Sequence, residues 1–196
     1  MTPSSPPADQ IIVISAPSGA GKTTIARALL GRHRDWRFSV SATTRPRRDH
    51  EEQGRDYHFR TREEFVALVE AGEMVEWEEI FGNLYGTLRS EVERMQSSPD
   101  IGAILFDVDV KGALSIRRAF PEAARLVFVA PPSFDVLEAR LRRRSTESDE
   151  AILRRLDRAA MEMEAAGEFD IVVVNDDLEL AITELDSILE NAGSPG

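Results

Sequence analysis

The sequence predicts an α/β fold, in which a parallel sheet is flanked by helices and carries one inserted subdomain and one lid. Short apolar runs without polar alternation recur along the chain, and helical stretches lie before or after most of them. Such runs are typical of parallel strands that are buried on both faces. They occupy residues 11–15, 36–40, 103–106, 126–129 and 171–174. We therefore expect a parallel five-stranded sheet.

The length of the chain favours one domain. Its 196 residues, 42% of them hydrophobic, suffice for one good core, whereas two full domains would ordinarily need a longer chain. No apolar run approaches the roughly 20 residues that a membrane span needs. Residues 1–10 lack the charged and apolar regions of a signal peptide. We expect a cytoplasmic protein with no membrane partner.

The composition excludes several classes of site. The absence of cysteine excludes disulfides and thiolate metal sites, and His33, His50 and His58 are not spaced as zinc ligands. A net charge of −11 repels polyanions and argues against nucleic acid as a partner. Any anion-binding site must therefore be local.

The basic residues are concentrated in two places. One cluster is Arg45, Arg47 and Arg48, and the other comprises seven arginines between residues 140 and 158. In an acidic chain such clusters indicate either anion binding or a solvated helix face with acidic neighbours one turn away. We favour the solvated face for three of these arginines: Arg142, Arg143 and Arg158.

Residues 41–87 break the strand–helix rhythm and are predicted to form the inserted subdomain. They are polar, contain glycines, and hold strand-like pieces at 57–59 and 74–80 around a helix. Thr61 and Glu64 are spaced to open that helix as a capping box.

The rest of the chain can be divided in the same way. The helix after the first strand begins at Lys22 and is expected to stop at Gly31, a residue typical of helix C-caps. A polar stretch at 144–150 joins two charged helices and predicts a lid. The predicted division is a disordered tail at 1–9, rich in Pro and Ser, and one domain at 10–193, with its core at 10–40 and 88–193, its insertion at 41–87 and its lid at about 140–158.

A phosphate-binding loop follows the first strand. Residues 16–23 are Ala-Pro-Ser-Gly-Ala-Gly-Lys-Thr, which fits the pattern G-x4-G-K-[ST] except that Ala16 replaces the first glycine. Small residues let backbone N–H groups curl around phosphate oxygens at the positive end of a helix, while Lys22 adds a charge and Thr23 a magnesium ligand. A chance glycine-rich turn is disfavoured, because the required strand and helix flank the loop. The core is therefore predicted to be P-loop NTPase-like.

Two acidic residues follow another apolar strand. The run ends at Asp107, where an aspartate that positions magnesium, often through water, is expected. Asp109 lies two residues further along and is expected on the same side. GTPases, transport ATPases and small-molecule kinases all share the phosphate loop. The identity of the phosphate acceptor must therefore come from residues 41–87.

Nine short motifs resemble those of one family, in the same order. They are SAPSGAGKTT (15–24), FSVSATTRPRR (38–48), GRDYHF (54–59), MVEW (74–77), NLYGT (83–87), LFDVDVKG (105–112), VFVAPPS (127–133), RSTES (144–148) and VNDDL (174–178). Through them the sequence resembles the guanylate kinase family from about residue 11 to about residue 189. The resemblance implies a kinase that uses Mg²⁺ and transfers the γ-phosphoryl group of ATP to GMP or dGMP, recycling guanine nucleotides.

The resemblance also implies an acceptor site for GMP, and the chemistry of the side chains agrees. A dianionic phosphate needs guanidinium forks and phenolic donors. A carboxylate that accepts from N1–H and N2–H, with hydroxyls that donate to O6, selects guanine over adenine. The implied residues are Arg45, Arg48, Tyr57 and Tyr85 for the phosphate, and Glu76, Ser41 and Thr87 for the base, with Asp109 at the floor of the site.

On the donor side the resemblance implies a site for ATP. Lys22, Arg45, Arg144 and Arg155 are expected around the migrating phosphoryl group, and no general base is needed because the acceptor phosphate is already anionic. For Asn175 a helix cap remains an alternative to a place near the adenine. The implied ATP-binding residues are Ala16, Pro17, Ser18, Gly19, Ala20, Gly21, Lys22, Thr23, Thr24, Arg140 and Asn175.

Departures from the family pattern remove no group from the chemistry. They are Ala16 for glycine, Arg47 for proline, the acidic run 49–54, Lys111 for glutamine and Ser145 for a lid glycine. Two other functions stay open: a non-catalytic binding module, and a kinase or NTPase of different specificity. The intact phosphate loop argues against the first, and the guanine-selecting set around Glu76 argues against the second.

Overall fold

A five-stranded parallel sheet forms the centre of the molecule. The structure is a computed structural model that describes residues 11–144 and 149–192, with the backbone alone at 144 and 192. Numbered in chain order, the strands lie side by side as β2 (Trp36–Phe38), β7 (Ala103–Asp107), β1 (Ile11–Ser15), β8 (Ala124–Ala130) and β9 (Ile171–Val174). Every neighbouring pair is parallel. The predicted α/β fold with its parallel five-stranded sheet is confirmed.

Helices cover both faces of this sheet. Along β1, Ile12 and Ile14 pack with the first and last helices, whereas Ile11 and Val13 pack with the third and fourth. Burial on both faces explains the unbroken apolar run. Burying each such side chain stabilises the folded state by about 1.5 to 3 kcal/mol. The described helices are α1 (Lys22–Arg32), α2 (Arg62–Glu70), α3 (Arg89–Gln96), α4 (Val110–Ala119), α5 (Phe134–Arg144), α6 (Asp149–Glu164) and α7 (Leu178–Ala192), with a 3-10 turn at Ala165–Glu168.

Helix α1 continues past Gly31, so the predicted end at that residue is wrong. The helix ends at Arg32, and His33 is its C-cap. The His33 ring stacks on Trp36 at 4.0 Å and lies 2.6 Å from a carboxylate oxygen of Asp186 on α7. These contacts pack His33, the residue that follows the last turn, against Trp36 and α7.

A second sheet occupies the segment that breaks the rhythm. Its strands lie in the order β4 (His58–Phe59), β3 (Ala42–Thr43), β6 (Asn83–Leu88) and β5 (Met74–Ile80). At the start of α2, Thr61 and Glu64 each accept a bond from the other's backbone N–H, at 3.1 Å and 2.8 Å. The predicted capping box is confirmed. The division of the chain into core, insertion and lid stays a prediction.

A two-residue turn joins β5 to β6. Phe81 (φ 48°) and Gly82 (φ 80°) both adopt left-handed backbone conformations, which match the twist of a tight hairpin. Glycine adopts this conformation freely, whereas a side chain there costs about 1 to 2 kcal/mol. The Phe81 ring is also 68% exposed. The hairpin tip is thus an aromatic side chain on a strained backbone.

Two predicted segments lie wholly or partly outside the described residues. They are the tail at 1–9 and the lid at about 140–158, of which residues 145–148 are not described. Helices α5 and α6 flank that gap and pack together through Leu137, Leu141 and Leu156. Within the described ranges, no helix is both long and apolar enough to cross a membrane.

Candidate active site

The phosphate loop connects β1 to α1. Gly19 (φ 93°) and Gly21 (φ 97°) adopt left-handed conformations, which lets the backbone N–H groups turn inward. A Cβ on Gly21 would collide with the amide of Asn175. Asn175 is 5% exposed and donates to the Ala20 carbonyl at 2.7 Å, so it braces the loop. The side chain that caps the start of α7 belongs to Asp177 rather than to Asn175.

Lys22 and Thr23 meet Asp107 at the end of β7. The Lys22 ammonium lies 2.7 Å from Asp107 Oδ1 and donates to the Val108 carbonyl at 2.8 Å. The Thr23 hydroxyl donates to Asp107 Oδ2 at 2.9 Å. The contact follows from topology, because β1 and β7 are adjacent parallel strands whose carboxyl ends share one edge. Hydroxyl and carboxylate oxygens are hard ligands, and the pair therefore fits Mg²⁺.

A cavity of about 730 Å³ lies against the first turns of α1 and the second sheet. Lys22, Thr23 and Asp107 line it together with residues predicted for the acceptor. Two further predicted residues contact the lining without being part of it: Arg45 contacts Tyr57, and Thr87 contacts Glu76. The predicted acceptor residues that line the cavity are Ser41, Arg48, Tyr57, Glu76, Tyr85 and Asp109. The phosphate loop and most of the predicted acceptor site therefore face one space.

Glu76 is a buried carboxylic acid in this lining. It is 8% exposed, and the antiparallel pairing of β5 with β6 places Thr87 opposite it. The Thr87 hydroxyl donates to Glu76 Oε1 at 2.7 Å. Burial raises the pKa of Glu76 to about 7 against the opposing hydrogen bond from Thr87, and the charge of Asp109 raises it as well. With this pKa, the Glu76 carboxyl changes its charge near neutral pH.

Because of Glu76, the free energy of unfolding should fall as the pH rises from about 4.5 to about 7. In that window the folded chain keeps a proton that the unfolded chain has lost. Above pH 7, where Glu76 is ionised in both states, its burial lowers the free energy of unfolding by about 3 kcal/mol. Glu76→Gln removes this titration. The free energy of unfolding, measured with urea, should therefore rise in the variant relative to the wild type by about 2 to 3 kcal/mol as the pH goes from 5 to 8. A stability difference that is independent of pH would contradict the assignment.

Arg45 is held by Glu51, a residue that the sequence did not single out. Glu51 is 6% exposed, and its oxygens accept from the Arg45 guanidinium at 2.7 Å and from the Arg48 N–H at 2.9 Å. Both bonds lower the pKa of the Glu51 carboxyl, and the bond from Arg45 has the larger effect. The Arg45 guanidinium also stacks 5.3 Å from the centre of the Tyr57 ring. A glutamate in an acidic polar turn is expected in solvent, so its burial was not predictable locally.

A second cavity, of about 320 Å³, lies over the phosphate loop. Arg155 lines it and donates to the Ser18 hydroxyl at 2.6 Å. Arg140 donates to the Asn175 carbonyl at 3.0 Å, behind the loop. The predicted Arg144 side chain lies outside the described part of the chain. Lys22, Thr23 and Asp109 line both cavities, which therefore adjoin.

Comparisons with known proteins bear on this geometry. The family model described as guanylate kinase matches residues 8–192. The guanylate kinase of Salinibacter ruber is 51% identical over 179 residues, covering 91% of this chain and 94% of that protein. The guanylate kinase of Chlorobium luteolum is 48% identical over 174 residues, covering 88% and 87%. The crystal structure of guanylate kinase from Anaplasma phagocytophilum has a TM-score of 0.77 at 32% identity, covering 96% of this chain and 88% of that one.

The chain belongs to the guanylate kinase family. The resemblance in the nine motifs is thereby confirmed, and with it the prediction of a kinase. A shikimate kinase from Bacteroides thetaiotaomicron, 18% identical with a TM-score of 0.55, shares the fold. The roles of individual residues remain predictions.

In this member of the guanylate kinase family, one of the arginines predicted on a solvated helix face, Arg158, lies elsewhere. Arg142 is on the expected solvated helix face, paired with Glu138 and Asp149. Arg158 instead lines the second cavity and donates to Asp109 Oδ2 at 2.7 Å. Arg158 does have the expected acidic neighbour one turn away, Glu162 at 2.9 Å, but it is only 26% exposed, so the prediction that it faces solvent is wrong. The partner that a helical charge pattern does not reveal is Asp109, which lies 49 positions away in the chain.

Proposed function

We propose that the chain transfers the γ-phosphoryl group of ATP to GMP, giving ADP and GDP. The observation that carries the proposal is the buried carboxylate of Glu76 in a cavity that Lys22 of the phosphate loop also lines. Such a carboxylate suits a base with N–H donors. Guanine presents them at N1 and N2, whereas adenine has an acceptor at N1. Membership of the guanylate kinase family supports the same acceptor.

The other lining residues supply what the rest of GMP needs. Arg48, Tyr57 and Tyr85 present one guanidinium and two phenols to the cavity, which suits a dianionic phosphate. Arg45 stands behind Tyr57 and adds charge. For guanine O6, Ser41 is the better donor, because Thr87 already gives its hydroxyl hydrogen to Glu76.

Transfer would take place where the two cavities adjoin. The loop N–H groups and Lys22 would hold the donor phosphates, and Arg155 on α6 would add a second positive charge beside them. The acceptor phosphate is its own nucleophile, so positioning and charge neutralisation provide most of the rate. Mg²⁺ held by Thr23 and Asp107 would neutralise charge on the donor oxygens.

Coupled ADP release with GMP, AMP, CMP and UMP, compared side by side, tests the proposal. Turnover efficiency with GMP should exceed that with each other nucleotide by about a hundredfold or more, the scale of leaving buried polar groups unpaired. A reaction without acceptor measures ATP hydrolysis and serves as the control. Equal turnover with AMP, or ADP release that needs no acceptor, would contradict the proposed function.

A further inference from the structure

Arg158 connects three parts of the molecule. It lies on α6, is 26% exposed, and donates to Asp109 Oδ2 at 2.7 Å. It donates to Glu162, one turn along α6, at 2.9 Å and lies 3.5 Å from Glu78 on β5. These three carboxylates are themselves only 12% to 16% exposed. One guanidinium therefore stands among partly buried carboxylates from α6, the second sheet and the start of α4.

Asp109 is bound at both of its carboxylate oxygens. Oδ1 accepts from the Gly112 N–H at 2.9 Å, as the N-cap of α4, and Oδ2 accepts from Arg158. A Cβ on Gly112 would lie 3.0 Å from Glu76 Oε2 and 3.1 Å from Asp109 Oδ1. The carboxylates of Glu76 and Asp109 are thus neighbours across a residue that has no side chain.

Two neighbouring carboxylates repel each other unless a cation is close to them. Arg158 brings its charge to 2.7 Å from Asp109, and its planar donor group fixes the direction from which Oδ2 is bound. Without this guanidinium, Oδ2 of Asp109 would lose its charged partner, and the bond from the Gly112 N–H would hold the carboxylate at Oδ1 but would not fix the position of Oδ2 beside Glu76.

We propose that Arg158 is a positioning residue for guanine, which holds Asp109 beside Glu76 so that the two carboxylates together accept the hydrogens on N1 and on the 2-amino group. Glu76 Oε1 accepts from Thr87, and each Asp109 oxygen accepts one bond, but a carboxylate oxygen has two acceptor sites. The two carboxylates together can therefore still receive the three N–H hydrogens of guanine. The inference rests on the proposed GMP specificity. It gives a role in base selection to an arginine that lines the donor cavity.

The alternative is an ion pair that only stabilises α6. The two roles differ in what they do to IMP, a nucleotide that lacks the 2-amino group but is otherwise like GMP. Loss of a merely structural pair weakens the binding of both nucleotides by the same factor. Loss of a residue that positions the acceptor of the amino group weakens the binding of GMP more than that of IMP.

The test compares dissociation constants for GMP and IMP, measured by calorimetry, in the wild type and in Arg158→Met. GMP binding should weaken about tenfold or more, the scale of one misplaced charged acceptor, and IMP binding by less than about threefold. Arg158→Lys keeps the charge and should recover part of the preference. Arg154→Met removes a charge from an exposed position on the same helix and should leave the preference unchanged.

Equal losses for GMP and IMP in Arg158→Met would overturn the proposal, and so would the same loss of preference in Arg154→Met. Thermal unfolding checks that each variant is folded. If Arg158→Met does not fold, Arg158→Lys decides against the wild type: lysine keeps the charge but not the planar donor group, so a folded Arg158→Lys in which GMP and IMP binding weaken by the same factor would also overturn the proposal. A wild type that does not bind GMP would instead overturn the proposed function, and the two failures are therefore distinguishable.

Discussion

Replacing Lys22 by methionine is expected to lower kcat by about a hundredfold or more while the melting temperature changes by only a few degrees. Lys22 opens α1, and its side chain is 22% exposed. In the resting protein its partners are Asp107 and the Val108 carbonyl, and one partly exposed pair adds little to stability. We expect its charge to matter most at the transferring phosphate, where preorganised groups act without solvent reorganisation.

The control for this experiment is Lys111→Met. Lys111 carries the same charge on a side chain that is 80% exposed, near Glu78 at 3.2 Å, and its loss should have little effect on kcat. Steady-state kinetics with saturating ATP and GMP, together with thermal unfolding, provide both measurements. Near-normal turnover in Lys22→Met would remove the phosphate loop from the chemistry.

Glu76→Gln is expected to lower kcat/KM for GMP by roughly two to four orders of magnitude, because a donor replaces an acceptor opposite the guanine N–H groups. The efficiency with AMP should fall less, since the new amide can donate to the adenine N1. Selectivity for GMP over AMP therefore narrows. The variant should also be folded, because its amide oxygen can still accept from Thr87.

Glu79→Gln is the matched control for that substitution. Glu79 is on the same strand, β5, but its side chain is 47% exposed and pairs with Arg62 at 2.9 Å. The measurement is kcat/KM for GMP and AMP in the three proteins. Equal proportional losses for both nucleotides in Glu76→Gln, or an equal loss in Glu79→Gln, would remove Glu76 from base selection.

The parts of the fold that could be predicted from sequence are those whose cause is local. The strands of the parallel sheet are buried on both faces and therefore appear as unbroken apolar runs. The capping box of α2 needs only Thr61 and Glu64, three residues apart. The end of α1 differs from the prediction by one residue, Arg32 instead of Gly31, which is the usual uncertainty of a helix end.

The same distinction applies to the candidate site. The phosphate loop is one short continuous segment, so its chemistry is visible before its geometry is known. Glu51 and Arg158 are ordinary charged residues in charged surroundings, and a charge pattern predicts both in solvent. The contact of Arg158 with Asp109 joins segments 49 positions apart and depends on tertiary packing. The contact of Glu51 with Arg45 spans only six positions, but it lies in an irregular segment whose course no periodic pattern predicts.

The hairpin tip at Phe81 has a thermodynamic consequence for substrate binding. Phe81 belongs to the second sheet, yet it lines the cavity over the phosphate loop, and Ile80 beside it lines both cavities. If this sheet moved when one nucleotide bound, it would therefore reshape the pocket of the other. The two binding equilibria would then be linked, and linkage is reciprocal: whatever factor GMP applied to the affinity for ATP, ATP would apply to the affinity for GMP.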